Sequence, residues 1–238
     1  MKFIYTLILS LFLLWSNSAI AKCLEGNCQN GTGTLFNIKD KSEYKGEFVD
    51  GAKTGKGTMT YNDGSVFIGE FVDGYKIGLG DYTYSDGAKY IGEFYGLRNG
   101  LGIMTYPDGS KYEGNFLDNL KEGIGILIFP DGKKYYGDFK DDVIHGRGTM
   151  NYADGSKYIG RFRSDLRHGQ GTFIYADGSK YIGGFYAGLR HGYGTMIYKN
   201  GNKYFGTFLE DLKNGRGTIT YQNGNLETLY WKDNKVLK

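Results

Sequence analysis

The sequence predicts an all-β protein: an elongated, open, twisted single-layer antiparallel sheet of tandem β-hairpins, arranged as a β-solenoid-like array. Three observations carry that prediction. A Y-x-G-x-F segment recurs at near-constant spacing, the mark of a repeat architecture. Polarity within each copy alternates with a period of two, as strands require and helices do not. The composition joins 40 Gly to 22 Tyr and 15 Phe with only 2 Pro, a mixture suited to short strands and tight turns. That aromatic content excludes a disordered chain, and Gly without a strict triplet period excludes collagen.

Residues 1–21 read as a cleaved secretory signal peptide. Lys2 supplies a short positive region, Phe3 to Trp15 is apolar apart from Thr6 and Ser10, and Ala19-Ile20-Ala21 is a small-residue cleavage site. The apolar run falls short of the roughly 20 residues that span a bilayer. Cleavage after Ala21 is expected, with the mature chain in the periplasm or secreted. Residues 22–43 form an N-terminal cap, in which Gly31, Gly33 and Leu35 resemble the second half of a repeat. Cys23 and Cys28 are the chain's two cysteines, and in an exported protein such a close pair is expected to form a short-loop disulfide. Lipid anchoring at Cys23 is the weaker alternative, because Lys22 is not the small residue expected before a lipidated cysteine.

Residues 44–226 hold eight copies, beginning at Tyr44, Phe67, Tyr90, Tyr112, Tyr135, Tyr158, Tyr181 and Tyr204. Counting each start as position 0, Gly fills position 2 and Phe fills position 4 in every copy: Phe48, Phe71, Phe94, Phe116, Phe139, Phe162, Phe185 and Phe208. A G-x-G pair and a Tyr or Phe before an Asp-Gly or Asn-Gly turn complete each copy, as in Gly55, Gly57 and Tyr61-Asn62-Asp63-Gly64. Two short strands per copy follow, with positive φ supplied at the reversal into the next copy. Neighbouring strands lie about 4.8 Å apart, so a Gly beside a ring lets the ring lie flat across the backbone. The sheet is thus expected to be stapled by a ladder of rings, including Tyr44, Phe48, Tyr90, Phe94, Tyr135, Phe139, Tyr158, Phe162, Tyr181 and Phe185. Residues 227–238 form a C-terminal capping strand, with Leu229 where Gly belongs and Trp231 where Phe belongs.

With this pattern laid out, the chain resembles the MORN (membrane occupation and recognition nexus) repeat family over residues 44–226. That resemblance implies an elongated sheet of β-hairpins and roles in protein–protein contact, scaffolding or phospholipid association.

The remaining constellations point away from chemistry. His145, His168 and His191 recur at position 10, but equivalent residues one repeat apart stand roughly 9–10 Å apart, too far to share a zinc ion. A basic row at position 9 comprises Lys53, Lys76, Lys121, Arg167, Arg190 and Lys213, with Arg98 shifted by a one-residue deletion. Evenly spaced cations along a loop edge are candidate contacts for an anionic surface. The Asp-Gly aspartates stand alone and serve turns rather than calcium. The G-x-G strings open no helix and so are not phosphate loops. The missing position-7 glycines at Asn119, Asp142 and Asp165 read as loop drift. No catalytic set, metal site or cofactor is expected, and a net charge of +3 demands no nucleic acid. A non-catalytic scaffold with a protein partner is the leading expectation; binding of anionic phospholipid or cell-envelope glycan is the alternative. The exposed part of the Gly–aromatic face offers tyrosines for either.

Overall fold

A computed structural model describes residues 20–237 of the protein. The signal peptide expected at 1–21 therefore lies outside the described residues, except for Ile20 and Ala21. No helix among the described residues is long and apolar enough to cross a membrane.

The described chain forms twenty strands in one antiparallel sheet. Each strand pairs with its sequence neighbours, and the first and last do not pair with each other, so the sheet stays open. Every repeat contributes a leading strand of seven residues and a trailing strand of nine, as in Glu43–Val49 and Ala52–Thr60. The cap adds two strands before the repeats, Ala21–Gly26 and Gly31–Asn37, and Cys23 is bonded to Cys28 across their turn. After the repeats, Leu226–Lys232 pairs with the last trailing strand, setting Leu229 opposite Gly217 and Trp231 opposite Gly215. Trp231 continues the ring ladder edge-on to Tyr204, with centroids 5.7 Å apart.

The two glycines of each G-x-G have different tasks. The first, such as Gly55 (φ 56°), takes the left-handed backbone of a bulge, where the pairing slips between Gly46 and Glu47. The second, such as Gly57, pairs with Gly46 on one side and Gly69 on the other. Repeated throughout, this register draws one unbroken row of glycines straight across the sheet from Gly33 to Gly217. A Cβ on Gly57 would run into the ring of Tyr44, whose Cζ would lie at 2.5 Å. The position-0 rings fill that bare strip and are fully buried, Tyr44 being 1% exposed and Tyr90 and Tyr158 0%.

Each position-0 ring from Tyr44 to Tyr181 also meets two phenylalanines edge-on. Tyr44 lies 5.2 Å from Phe48 in its own repeat and 4.9 Å from Phe71 in the next. The same zigzag runs through Tyr90, Phe94, Tyr135, Phe139, Tyr158, Phe162, Tyr181 and Phe185. Edge-to-face pairs of this kind contribute roughly 0.5–1.5 kcal/mol each beyond their buried area. The core is therefore one ring thick and lies on one face of the sheet.

The sheet turns twice per repeat. The longer connection is the one read from the Asp-Gly signal: Gly64 adopts φ 88°, and Asp63 accepts hydrogen bonds from the Ser65 amide (2.9 Å) and hydroxyl (3.0 Å). The second, tighter turn joins the two strands within a copy. Asp50 and Gly51 both have positive φ (49° and 80°), the geometry that matches the twist of a two-residue hairpin. The 22-residue third interval is a deletion here, leaving Gly96 alone between Tyr95 and Leu97.

The position-7 residues are not loop drift. Each tight turn is tied to the repeat before it by a backbone bond from position 7, such as Asp165 N–H to Ile144 C=O at 3.0 Å. Where Asn or Asp replaces Gly, its side chain returns a second bond. Asn119, Asp142 and Asp165 accept from the amides of Arg98, Lys121 and Ile144 at 3.0, 2.8 and 2.9 Å. Both residue types tolerate the left-handed backbone that this demands.

Candidate interaction surface

Because side chains alternate across a strand, the two faces of the sheet have separate roles. On the ring face, the basic row lies within strands rather than along a loop edge, and its cations cover the aromatic ladder. Lys53 stands 5.4 Å over Tyr44, Lys76 5.0 Å over Tyr82 and Lys121 5.8 Å over Tyr112. Arg98, Arg167, Arg190 and Lys213 sit over Phe116, Phe173, Phe208 and Trp231 at 5.2, 4.9, 5.1 and 4.3 Å. The arginines also donate to turn carbonyls of the next repeat: Arg98 to Asn119, Arg167 to Gly188 and Arg190 to Asp211, at 2.6–2.7 Å. Burial of the ammonium group lowers the pKa of Lys53 and of Lys76, with the charge of Arg98 a second cause at Lys76. These contacts occupy the cations that the sequence offered to an anionic surface.

The position-0 tyrosines of this face are likewise spent internally. Tyr90 and Tyr158 donate their hydroxyls across the glycine row to the carbonyls of Glu93 and Arg161, both at 2.9 Å. Burial pushes Tyr44, Tyr90, Tyr158 and Tyr181 up to about 12. A second set, Tyr61, Tyr84, Tyr106, Tyr152, Tyr175 and Tyr198, packs against the ladder and stays half-exposed on this face.

The opposite, outer face carries the exposed apolar surface. Its residues come from positions 1 and 12, which vary between copies and gave no repeat signature. One row crosses the sheet through Ile68, Ile91, Tyr136, Ile159, Ile182 and Phe205, with Asp81 and Glu113 among them; a parallel row sets Leu79, Leu101, Ile124 and Tyr193 beside Glu93, Asn115, Asp138 and Thr207. The apolar members are all exposed, Leu79 by 73% and Tyr193 by 69%.

Between the rows runs a groove whose floor is the bare backbone of the glycine row. Around the fifth repeat its walls are Tyr136, Thr149 and Ile159 on one side and Ile124, Asp138, Arg147, Arg161 and Gln170 on the other, over Gly137, Gly148 and Gly160, an open depression of about 770 Å³. A second stretch near the first repeat lies between Thr58 with Ile68 and Lys56 with Leu79, over Gly57 and Gly69.

The three histidines adjoin this face without converging. Tyr186 separates two of them, its ring 5.4 Å from that of His168 and 5.7 Å from that of His191. Among the described residues, no group of three or more His, Cys, Asp or Glu is placed to hold a metal ion.

The wild-type TCP10 domain of Danio rerio CPAP, solved in complex with a peptide of Danio rerio STIL, is similar in fold at 14% identity and a TM-score of 0.55. The match covers 92% of this chain and 97% of that one. The same domain solved without the peptide aligns at 15% identity and a TM-score of 0.45, over 91% of this chain and 98% of that one. The SAS-4 (dCPAP) TCP domain of Drosophila melanogaster, in complex with a proline-rich motif of Ana2 (dSTIL), aligns at 17% identity and a TM-score of 0.38, over 75% and 85%. None of the curated proteins compared with the chain matches it. The MORN repeat family matches eight consecutive segments, 44–66, 67–89, 90–111, 112–134, 135–157, 158–180, 181–203 and 204–226. With its strand pairs, ring ladder and turns repeating in those same segments, the chain belongs to the MORN repeat family.

Proposed function

We propose that this protein is an exported, non-catalytic scaffold that binds a protein partner, laying an extended segment of it along the outer groove. The observation that carries this reading is the pair of exposed apolar rows flanking a floor of glycine backbone. Exposed apolar side chains gathered along one groove mark an interaction surface. A groove running across the strands offers successive strand pairs to one extended chain. The similar TCP10 domain of CPAP was solved with a peptide of STIL, which is consistent with such a use of this fold. Export is supported by Lys2, the apolar run from Phe3 to Trp15 and Ala19-Ile20-Ala21, together with the Cys23–Cys28 bond.

Selection of a random peptide library on the folded protein tests the reading. Peptides are expected to lose binding to the Leu101→Asp and Tyr136→Asp variants, whose circular dichroism stays native. Peptides that bind both variants as well as the wild type would refute it. Export is tested separately by intact mass after expression with secretion, where a mature chain beginning at Lys22 is expected.

A further inference from the structure

We infer that the groove contains one carboxylate-binding subsite, built by Arg147, Arg161 and Arg163, which takes an acidic stretch of the partner polypeptide. The inference rests on the groove reading above and adds the partner's charge and its position along the sheet.

Strand register supplies the first argument. On the outer face, position 12 of each repeat stands directly opposite position 3 of the next. Those pairs are Lys56–Glu70, Leu79–Glu93, Leu101–Asn115, Ile124–Asp138, Gln170–Gly184 and Tyr193–Thr207, with Arg216–Tyr230 at the end. The fifth repeat alone pairs two like charges, Arg147 with Arg161. Like charges directly opposite on a sheet destabilise it. An anion between them reverses the sign of that contribution.

No carboxylate among the described residues forms an ion pair with these arginines. The ion pairs among the described residues are Lys111–Glu113, Lys121–Asp142 and Arg190–Asp211. Asp138 is the nearby carboxylate, and one of its oxygens accepts the Arg147 backbone amide at 2.7 Å. Arg163 extends the cluster along the strand from Arg161, and His145 and His168 line the same depression. All three arginines are exposed to solvent. Guanidinium groups side by side suit planar, bidentate carboxylates.

The occupant follows from what adjoins the cluster. Arg147 and Arg161 form one wall of the groove, and Ile124 continues that wall toward Leu101. A recess with apolar walls on one side and cations on the other fits a chain carrying apolar side chains next to carboxylates. A bilayer surface meets crests rather than a recess. Position 3 is acidic at Glu47, Glu70, Glu93 and Asp138 and basic only at Arg161, so the partner's acidic stretch is held where Arg161 and Arg163 adjoin Arg147, at the junction of the fifth and sixth repeats.

The test uses a fluorescent oligo-glutamate peptide of about eight residues, which spans roughly 26 Å when extended, or about five strand spacings. Anisotropy titrations at about 20 mM and about 200 mM salt compare the full-length protein with the Arg147→Glu/Arg161→Glu double variant. Salt-sensitive binding that weakens by roughly tenfold or more in the double variant, and not in Arg216→Ala, is expected. Equal affinity for wild type and double variant, or no binding at low salt, overturns the subsite. Anionic vesicles that bind the wild type more tightly than the peptide, and lose binding in the same variant, overturn the peptide assignment in favour of a membrane. Circular dichroism confirms that each variant folds. Loss of library peptides by Leu101→Asp without any effect of the arginine reversals would leave the groove reading standing and remove this one.

Discussion

The ring of Tyr158 lies across Gly171 and hands its hydroxyl proton to the carbonyl of Arg161, 2.9 Å away. No side chain fits beneath that ring: a Cβ on Gly171 would sit 2.6 Å from Tyr158 Cζ. Gly171→Ala is therefore expected to cost about 2–3 kcal/mol through overpacking and ring displacement. Gly155→Ala makes the comparison, since Gly155 has open space and only a positive φ of 86°. It is expected to cost about 1 kcal/mol from backbone strain alone. Denaturant midpoints of the two variants check the ranking; equal losses would contradict it.

The second repeat already carries the deletion of that hydroxyl. Phe67 occupies the Tyr158 position with 0% exposure and still lies over Gly69 and Gly80. Tyr158→Phe should accordingly cost only about 1 kcal/mol, the net value of one hydrogen bond. Tyr158→Ala should cost about 3–5 kcal/mol, because it opens a cavity along the glycine row. Thermal unfolding of both variants measures the difference.

Alkaline pH tests the ladder as a whole. Burial pushes Tyr44, Tyr90, Tyr158, Tyr181 and Tyr204 up to about 12, against the opposing charges of Arg98, Arg167 and Arg190 at Tyr90, Tyr158 and Tyr181. An unfolded tyrosine ionises near about 10. The neutral phenols thus contribute stability that is fully present below pH 10 and is lost as pH rises through 10 toward 12. Each tyrosine contributes up to about 1.4 kcal/mol per pH unit within that window. Midpoints measured between about pH 9 and about pH 11 should fall steeply, with tyrosinate absorbance rising in step with unfolding. A flat profile would contradict the buried phenols.

Asp165 separates two effects at the tight turn. Its φ of 66° strains a residue with a Cβ, yet its carboxylate binds the Ile144 amide at 2.9 Å. Asp165→Ala loses the bond and keeps the strain, for an expected cost of about 2 kcal/mol. Asp165→Gly loses the bond but relieves the strain, so about 1 kcal/mol or less is expected. Equilibrium unfolding that ranks Gly below Ala would refute this account.

Much of this was legible because it repeats. The period, the alternation and the Gly–ring juxtaposition specified hairpins, register and the buried ladder, since Gly46, Phe48 and their copies occupy fixed positions. The outer face was not legible for the same reason. Ile68, Tyr136 and Phe205 share a row but not an identity, and a motif reading treats such positions as variable. The basic row read as a loop edge because spacing alone does not say which way a side chain turns. Lys76 has basic company 23 residues before it and 22 after, yet its ammonium rests among Tyr61, Phe67, Tyr82 and Phe94. The position-7 aspartates read as drift because the amides they bind lie 21 residues earlier. The Arg147–Arg161 pair required register, which fixes who faces whom.

The glycine row ends at Leu229, the first side chain to stand in its path. Up to that point each hairpin offers its successor the same blank strip that it received. Gain or loss of a whole hairpin by duplication or deletion therefore changes the reach of the protein by two strand spacings, roughly 10 Å, while every remaining junction stays as it was. Copy number works as a ruler, and Leu229 with Trp231 marks where the measuring stops.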